Sequence, residues 1–188
     1  MVELTKGRGK SCKDSRGGVD KVYLFSFVKY SRSQNVHSDL DLTSFPATTI
    51  YEFEPSNQPN FLNDSKEDEG GKYYTEDISF DFVGIFVYDE FEKFLNNDVR
   101  CIIKDRNGKY RLLGAFNGLT CERISRILGS NKGSFRGYKI PLTGQEELPA
   151  LFINDLNGAG FTISEDNFLI LENDPEILTE ENEFIILE

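Results

Sequence analysis

Chemistry in a chain of 188 residues begins with its scarce reactive groups, and here there is one histidine, His37, set in a polar stretch. A lone imidazole gives no histidine-rich metal site, and no partner residues mark it as part of a relay triad. It reads as a surface loop residue. Carboxylates are plentiful at 32, but no pair stands out in an apolar setting, as a glycosidase-like dyad requires. Asp105-Arg106-Asn107-Gly108 opens like a calcium loop. Its sixth position is then Tyr110 where glycine is needed, and its twelfth is Phe116 where glutamate is needed. The acidic stretch from Asn63 to Glu69 offers at most a weak divalent-cation site. Lys6-Gly7-Arg8-Gly9-Lys10 has phosphate-cradle composition without the preceding strand or the GK[ST]-helix step of a P-loop. The cysteines, Cys12, Cys101 and Cys121, are odd in number and lack CxxC or metal-ligand spacing, so they read as free thiols of a reducing compartment. No catalytic, cofactor or metal residue is assigned, and a non-enzyme is expected.

The elements that would position such groups are mostly strands. CIIKDRNGKYRLLGAF at Cys101 to Phe116 writes a β-hairpin, with Asn107 and Gly108 as a tight turn supplying two positive-φ positions. In that setting Asp105 is a turn former. VYLFSFVKY at Val22 to Tyr30 is apolar almost throughout, which predicts a strand covered on both faces. ATTIYEFE at Ala47 to Glu54 alternates as a second strand. In KYYTEDISFDF at Lys72 to Phe82, one face carries Tyr74, Glu76, Ile78, Phe80 and Phe82. Residues 55–71 read as a long acidic loop. Asp89 to Asn97 is the best helix, with Tyr88, Phe91, Phe94 and Leu95 on one stripe. Leu119 to Leu128 leans to strand, Ser134 to Leu142 and Glu147 to Ile153 are strands, and Asn157 to Gly160 is a turn. The predicted class is mainly β (α+β), with one packed helix.

Charge is unevenly placed. The net is −11 overall, made of +5 over residues 1–36, −8 over 37–80, +4 over 81–139 and −12 over 140–188. Such blocks pair within one molecule, or between copies set head to tail. An acidic total disfavours nucleic-acid binding by overall field. No apolar run approaches bilayer length, and the basic N-terminus lacks the apolar core of a secretory signal. The chain is expected to be made and folded in a cytosol.

Three segments together resemble tail-tube-like proteins of phages that infect Bacteroidetes, including the crAss-like phages. The first is GRGKSCKDSRGGVDKVYLFSF, matching at Cys12, Lys13, Gly17, Gly18, Val19, Lys21, Val22, Tyr23 and Leu24. The second is KDRNGKYRLLGAFNGLTCE. The third is GYKIPLTGQEELPALFI, with Gly144, Glu147, Pro149 and Ala150 in place. They span most of residues 7–153; residues 55–71 and the stretch after Ile153 lie outside.

The resemblance implies a β-sandwich or partly closed barrel, and a non-catalytic virion structural protein. Copies would join their sheets into a homo-oligomeric ring of a tail tube or short-tail ring, next to portal, adaptor or other tail proteins. DNA would be only a transient, non-specific cargo in the lumen, and an acidic wall would let it slide. On this reading residues 1–153 form the β domain, with a basic arm at 1–21. Residues 154–188 form an acidic extension packed on it. The expected subunit-interface residues are Lys6, Arg8, Lys10 and Lys13 of the arm and Phe184, Ile185 and Ile186 of the tail. The location is the virion tail, after synthesis in the bacterial cytoplasm. The alternative is a carbohydrate- or cell-surface-binding β-sandwich, with Tyr51, Tyr73 and Tyr74 as a sugar platform.

Overall fold

The computed structural model describes residues 17–34, 36–56, 59–83, 92–131 and 134–164. Within these, β1 is Val19–Ser26, β2 Val36–Ser38, β3 Asp41–Ser44, β4 Thr48–Phe53, β5 Asn60–Asp68 and β6 Gly71–Val83. A short helix α1, Lys93–Asn96, precedes β7 (Val99–Asp105) and β8 (Tyr110–Leu113). Then come β9 (Ser125–Ile127), β10 (Gly137–Glu146), β11 (Leu151–Ile153), α2 (Leu156–Ala159) and β12 (Phe161–Ile163). The fold is mainly β, a curled half-barrel sheet packed on a second sheet.

The large sheet has eight strands in the order β12-β4-β1-β7-β8-β11-β3-β2, and the small one four, β5-β6-β10-β9. Among the described residues the segment after β8 bridges to both. Leu119 bridges to Val99 of β7 and Thr120 bridges to Thr143 of β10.

Alternation along the central strands builds two cores. Val22, Leu24, Cys101, Ile103 and Leu113 face the small sheet and meet Ile78, Phe80, Ile140 and Leu142. Their neighbours Tyr23, Phe25, Ile102 and Leu112 face the other way, onto Leu42, Phe45, Ile50, Leu151 and Phe161. Successive side chains on a strand point to opposite faces, so a continuous apolar run is what two-sided burial requires. The predicted double coverage is met in the first half of Val22 to Tyr30, where Val22, Tyr23, Leu24 and Phe25 are all buried, but the strand ends at Ser26 and Val28 is exposed. Each such side chain contributes roughly 1.5–3 kcal/mol on leaving water.

Several expectations are corrected. The acidic segment 55–71 is no loop; its residues 60–68 are β5, paired with β6 in register from Asn60–Ser79 to Asp68–Gly71. Its alternation was masked because both faces of the outer half meet solvent. The described part of the predicted helix 89–97 is the single turn α1, where Phe94 packs toward Phe53 but Leu95 is exposed. The turn at Asn157 to Gly160 is instead α2, capped by the Asp155 carboxylate accepting from Asn157 N–H at 3.1 Å. Just after Ile153, α2 and β12 pack into the core, with Phe161 fully buried and stacked on Phe45 at 4.9 Å.

The strands also fix two poles. Val19 lies opposite Asp105 and Ser26 opposite Val99. Gly18 accepts a hydrogen bond from Arg106 N–H at 3.2 Å, so the chain enters β1 beside the β7–β8 turn. The Val83 end of β6 lies toward that pole, where its N–H donates to Ser56 Oγ at 2.7 Å. From there β6 runs back to the opposite pole and past it. Tyr74 is its last residue paired with β10, and every residue from Asp64 to Lys72 is exposed.

Candidate functional site

The turn at Asn107 and Gly108 is where it was expected, but its geometry differs. Only Gly108 has positive φ, at 79°. Gly108 N–H donates to Asp105 carbonyl at 2.9 Å, and Asp105 N–H donates to Lys109 carbonyl at 2.8 Å. This is a three-residue loop closed by a left-handed glycine, the type I turn plus bulge arrangement, in place of a two-residue mirror-image turn. The Asp105 side chain supplies the rest: its Oδ1 accepts Asn107 N–H at 2.8 Å and Lys109 N–H at 2.9 Å. Asp105 is thus a turn former. Asp105→Ala will lower stability by about 1 kcal/mol, the usual worth of such a side-chain cap. Urea denaturation checks this, and Asp105→Asn, which keeps the Oδ1 acceptor, should avoid most of the loss.

The other singled-out groups are scattered. His37 is exposed on β2, its Nδ1 3.2 Å from the Asp39 carbonyl and its ring edge-on to Phe116 at 6.0 Å. Tyr51 is on β4, in the large sheet, while Tyr73 and Tyr74 are consecutive on β6 and point to opposite faces. The three tyrosines do not make one flat platform. Cys101 and Cys121 are buried free thiols, and burial pushes both up in pKa. Among the described residues there is no group of three or more metal-ligating side chains. No helix there is long and apolar enough to cross a membrane. Lys6, Arg8, Lys10, Lys13 and Cys12, and Phe184, Ile185 and Ile186, lie outside the described residues.

What the strands do bring together is a set of buried charges around the segment 114–118, between β8 and the bridge at Leu119. Gly114 has φ 66°, and a Cβ there would lie 2.9 Å from the Gly118 carbonyl carbon, so the segment doubles back too tightly for a side chain. Its backbone polar groups are then met from both sheets. Glu76 of β6, 1 % exposed, accepts Gly114 N–H at 2.7 Å. Glu146 of β10, 2 % exposed, accepts Phe116 N–H at 3.0 Å and Asn117 N–H at 2.8 Å through Oε1. Arg100 of β7, 1 % exposed, donates from Nε to the Ala115 carbonyl at 3.3 Å.

The arginine sits in an aromatic cage. Its guanidinium carbon is 4.2 Å from the Phe27 ring centre, 5.2 Å from Tyr30 and 5.3 Å from Phe45. Rings of this kind offer their electron-rich faces to a cation that has lost water. Burial lowers the Arg100 pKa to about 10. Burial likewise raises Glu76 to about 8, against the pull of the Gly114 amide, with the Glu146 charge adding to the rise. Glu146 is also raised by burial, while the Phe116 and Asn117 amides and Arg100 oppose it. Glu146 Oε2 and Arg100 Nη1 are buried without hydrogen-bond partners.

Two raised carboxyls suit proton transfer only where a substrate reaches them. Two surface depressions, of about 90 Å³ and 240 Å³, are lined by His37, Phe116, Glu147 and Leu148, and by residues near Asp41 and Gly108. Neither is lined by Glu76 or Glu146, and both are smaller than ligand pockets of about 300–1,000 Å³. These carboxyls accept chiefly from backbone amides, with the Asn63 side-chain amide a longer donor to Glu76 at 3.4 Å, which is a positioning role.

No family model, curated protein or solved structure matches the chain. The site therefore stands on its own geometry.

Sequence reasoning missed Arg100, Glu76 and Glu146 as a set. Glu76 carried a readable signal, a carboxylate within the apolar face of β6. Arg100 breaks the apolar run Val99-Arg100-Cys101-Ile102-Ile103 in the same way. Nothing in the spacing said that the two met across the sheets.

Proposed function

We propose that this chain is a non-catalytic virion structural protein, a subunit of a phage tail tube or tail ring whose copies surround a channel for genome ejection. It would act in the virion tail, beside portal, adaptor or other tail proteins, after synthesis in the bacterial cytoplasm. The identity rests on the resemblance of the three sequence segments. The observation that carries the assembly part is the β5–β6 overhang. A two-stranded ribbon bare on both faces is marginal in water by itself. Its open edge is a template for pairing, which a monomer has reason to cover or shorten. Among the described residues β5 is nine residues long and has β6 on one side only. A neighbouring copy would supply the missing contacts, and identical copies joined head to tail close into rings or stack into tubes.

Light scattering and negative-stain electron microscopy of the full chain test this reading. The expected result is a ring of identical copies with a central lumen. A monodisperse monomer at high concentration, with no assembly on a portal or adaptor complex, would reject it.

A further inference from the structure

We infer that the overhanging β5–β6 hairpin is the seat of the basic N-terminal arm, residues 1–16, of a second copy of this chain. The inference rests on the assembly reading above and names its contact.

Three observations lead to it. Among the described residues no segment covers the overhang. Residues 64–72 are exposed on both faces, and the outer edge of β5 pairs with no strand among the described residues. Its charge is also opposite to that of the arm. The overhang carries Asp64, Glu67, Asp68 and Glu69 against Lys66 and Lys72, and Lys72 Nζ already leans over the Tyr74 ring at 5.2 Å. The arm carries Lys6, Arg8, Lys10, Lys13 and Arg16 against Glu3 and Asp14.

The third observation is direction. The arm joins β1 at the pole of the β7–β8 turn, while the hairpin leaves the body at the opposite pole. Lys13 and Lys10 lie four and seven residues before Gly17. Fully extended, those stretches reach about 14 and 25 Å. The eight residues of β1 already occupy about 25 Å, and the overhang lies beyond them. The same copy's hairpin is therefore out of reach for Lys13, so only a neighbouring copy lets the whole arm, Lys13 included, lie on it. A copy stacked head to tail brings its arm pole against the hairpin. Glycines at positions 7 and 9 suit the arm to lie along a surface by charge, without adding a regular strand.

Charge exchange in the full chain tests the contact. One variant reverses the arm (Lys6→Glu, Arg8→Glu, Lys10→Glu, Lys13→Glu), another the hairpin (Asp64→Lys, Glu67→Lys, Asp68→Lys, Glu69→Lys). Each alone should weaken self-association by about tenfold or more at low salt, as like charges meet across the contact. The variant carrying both sets should regain assembly. An equimolar mixture of the two single-set variants should also regain assembly, with the two variants alternating, since each arm then matches the other variant's hairpin. A second readout is independent of assembly. A synthetic peptide of residues 2–16, titrated into the full chain, should shift backbone amide resonances within residues 60–74.

The outcomes separate the two ideas. Wild-type rings that ignore both reversals, or peptide shifts confined to residues 165–188 or elsewhere, overturn the contact and leave the ring reading intact. Peptide shifts on the hairpin with a wild type that joins into open chains of copies but never closes a ring support the contact and overturn the ring, whereas a wild type that stays monomeric overturns both. Single reversals that fold normally yet do not pair on mixing also overturn the contact between copies.

Discussion

Arg100→Ala will destabilise the chain by about 3–5 kcal/mol, the range for removing one member of a buried charge set. Two effects combine. The Ala115 carbonyl loses its donor, and Glu146 loses the nearby cation that offsets its burial. The aromatic cage of Phe27, Tyr30 and Phe45 is also left around a void, for which large-to-small changes cost further. Arg100→Met separates the two, because it fills most of the space without the charge. Its penalty should be larger at pH 8 than at pH 5: without Arg100, Glu146 is raised further, and a raised carboxyl favours the folded state only while protonated. Adding Glu146→Gln to Arg100→Met should remove that pH dependence while keeping an acceptor for the Phe116 and Asn117 amides. Guanidinium denaturation at the two pH values measures all of this. A loss below about 1 kcal/mol for Arg100→Ala would mean that the segment 114–118 does not depend on the set.

Glu76 gives the second large effect, and its sign is opposite to that of a salt-bridged carboxylate. Its folded pKa is raised from 4.5 to about 8 by burial. The folded state therefore binds the proton more tightly than the unfolded chain. Its contribution is fully present below about pH 4.5 and is lost as pH rises through about 8. At about 1.4 kcal/mol per pKa unit, the loss by pH 9 is on the order of 3–5 kcal/mol. The groups around it are Glu146, Cys101, Asn63 and the Gly114 amide. Glu146 adds to the slope, being raised in the same direction. Glu76→Gln should flatten most of the profile, close to neutral at pH 6 and stabilising relative to wild type at pH 9. Urea midpoints at pH 5, 7 and 9 decide it. A wild type equally stable at all three would refute the assignment, as would a glutamine variant with an unchanged slope.

The sheets were legible in the sequence wherever burial is one-sided or total. Val22 to Phe25 and Cys101 to Ile103 are apolar on both faces because both faces are covered, and the alternation of Ile78, Phe80 and Phe82 reports one covered face. The hairpin β5–β6 was hidden for the opposite reason. Hydrophobic periodicity records contact with a core, and Asp64 to Asp68 have none, so a long strand looked like an acidic loop. The type of the β7–β8 turn was obscured by Asp105, whose side chain stabilises a three-residue loop over the two-residue form that Asn-Gly favours. The charged set around 114–118 was half visible: each member breaks an apolar pattern, but their meeting depends on a fold in which β6, β7 and β10 converge on one segment. The sheet architecture agrees with the sandwich or partly closed barrel implied by the resemblance.

The two parallel ladders at the rims of the large sheet set the order in which the molecule can be completed. β3 pairs with β11 through Asp41 and Phe152, and β4 pairs with β12 through Thr48 and Phe161, partners more than a hundred residues apart. Closing loops of that span precedes any reward from the contacts, so folding should be slow for a chain of this size. During synthesis the edges of β3 and β4 stay bare until the last of these strands leaves the ribosome, and Phe45 lacks its stacking partner Phe161 until then. Nascent chains are thus open to wrong edge-to-edge pairing for most of translation. The rims of the large sheet are finished only once β11 and β12 have been made, so β3 and β4 wait more than a hundred residues for these partners.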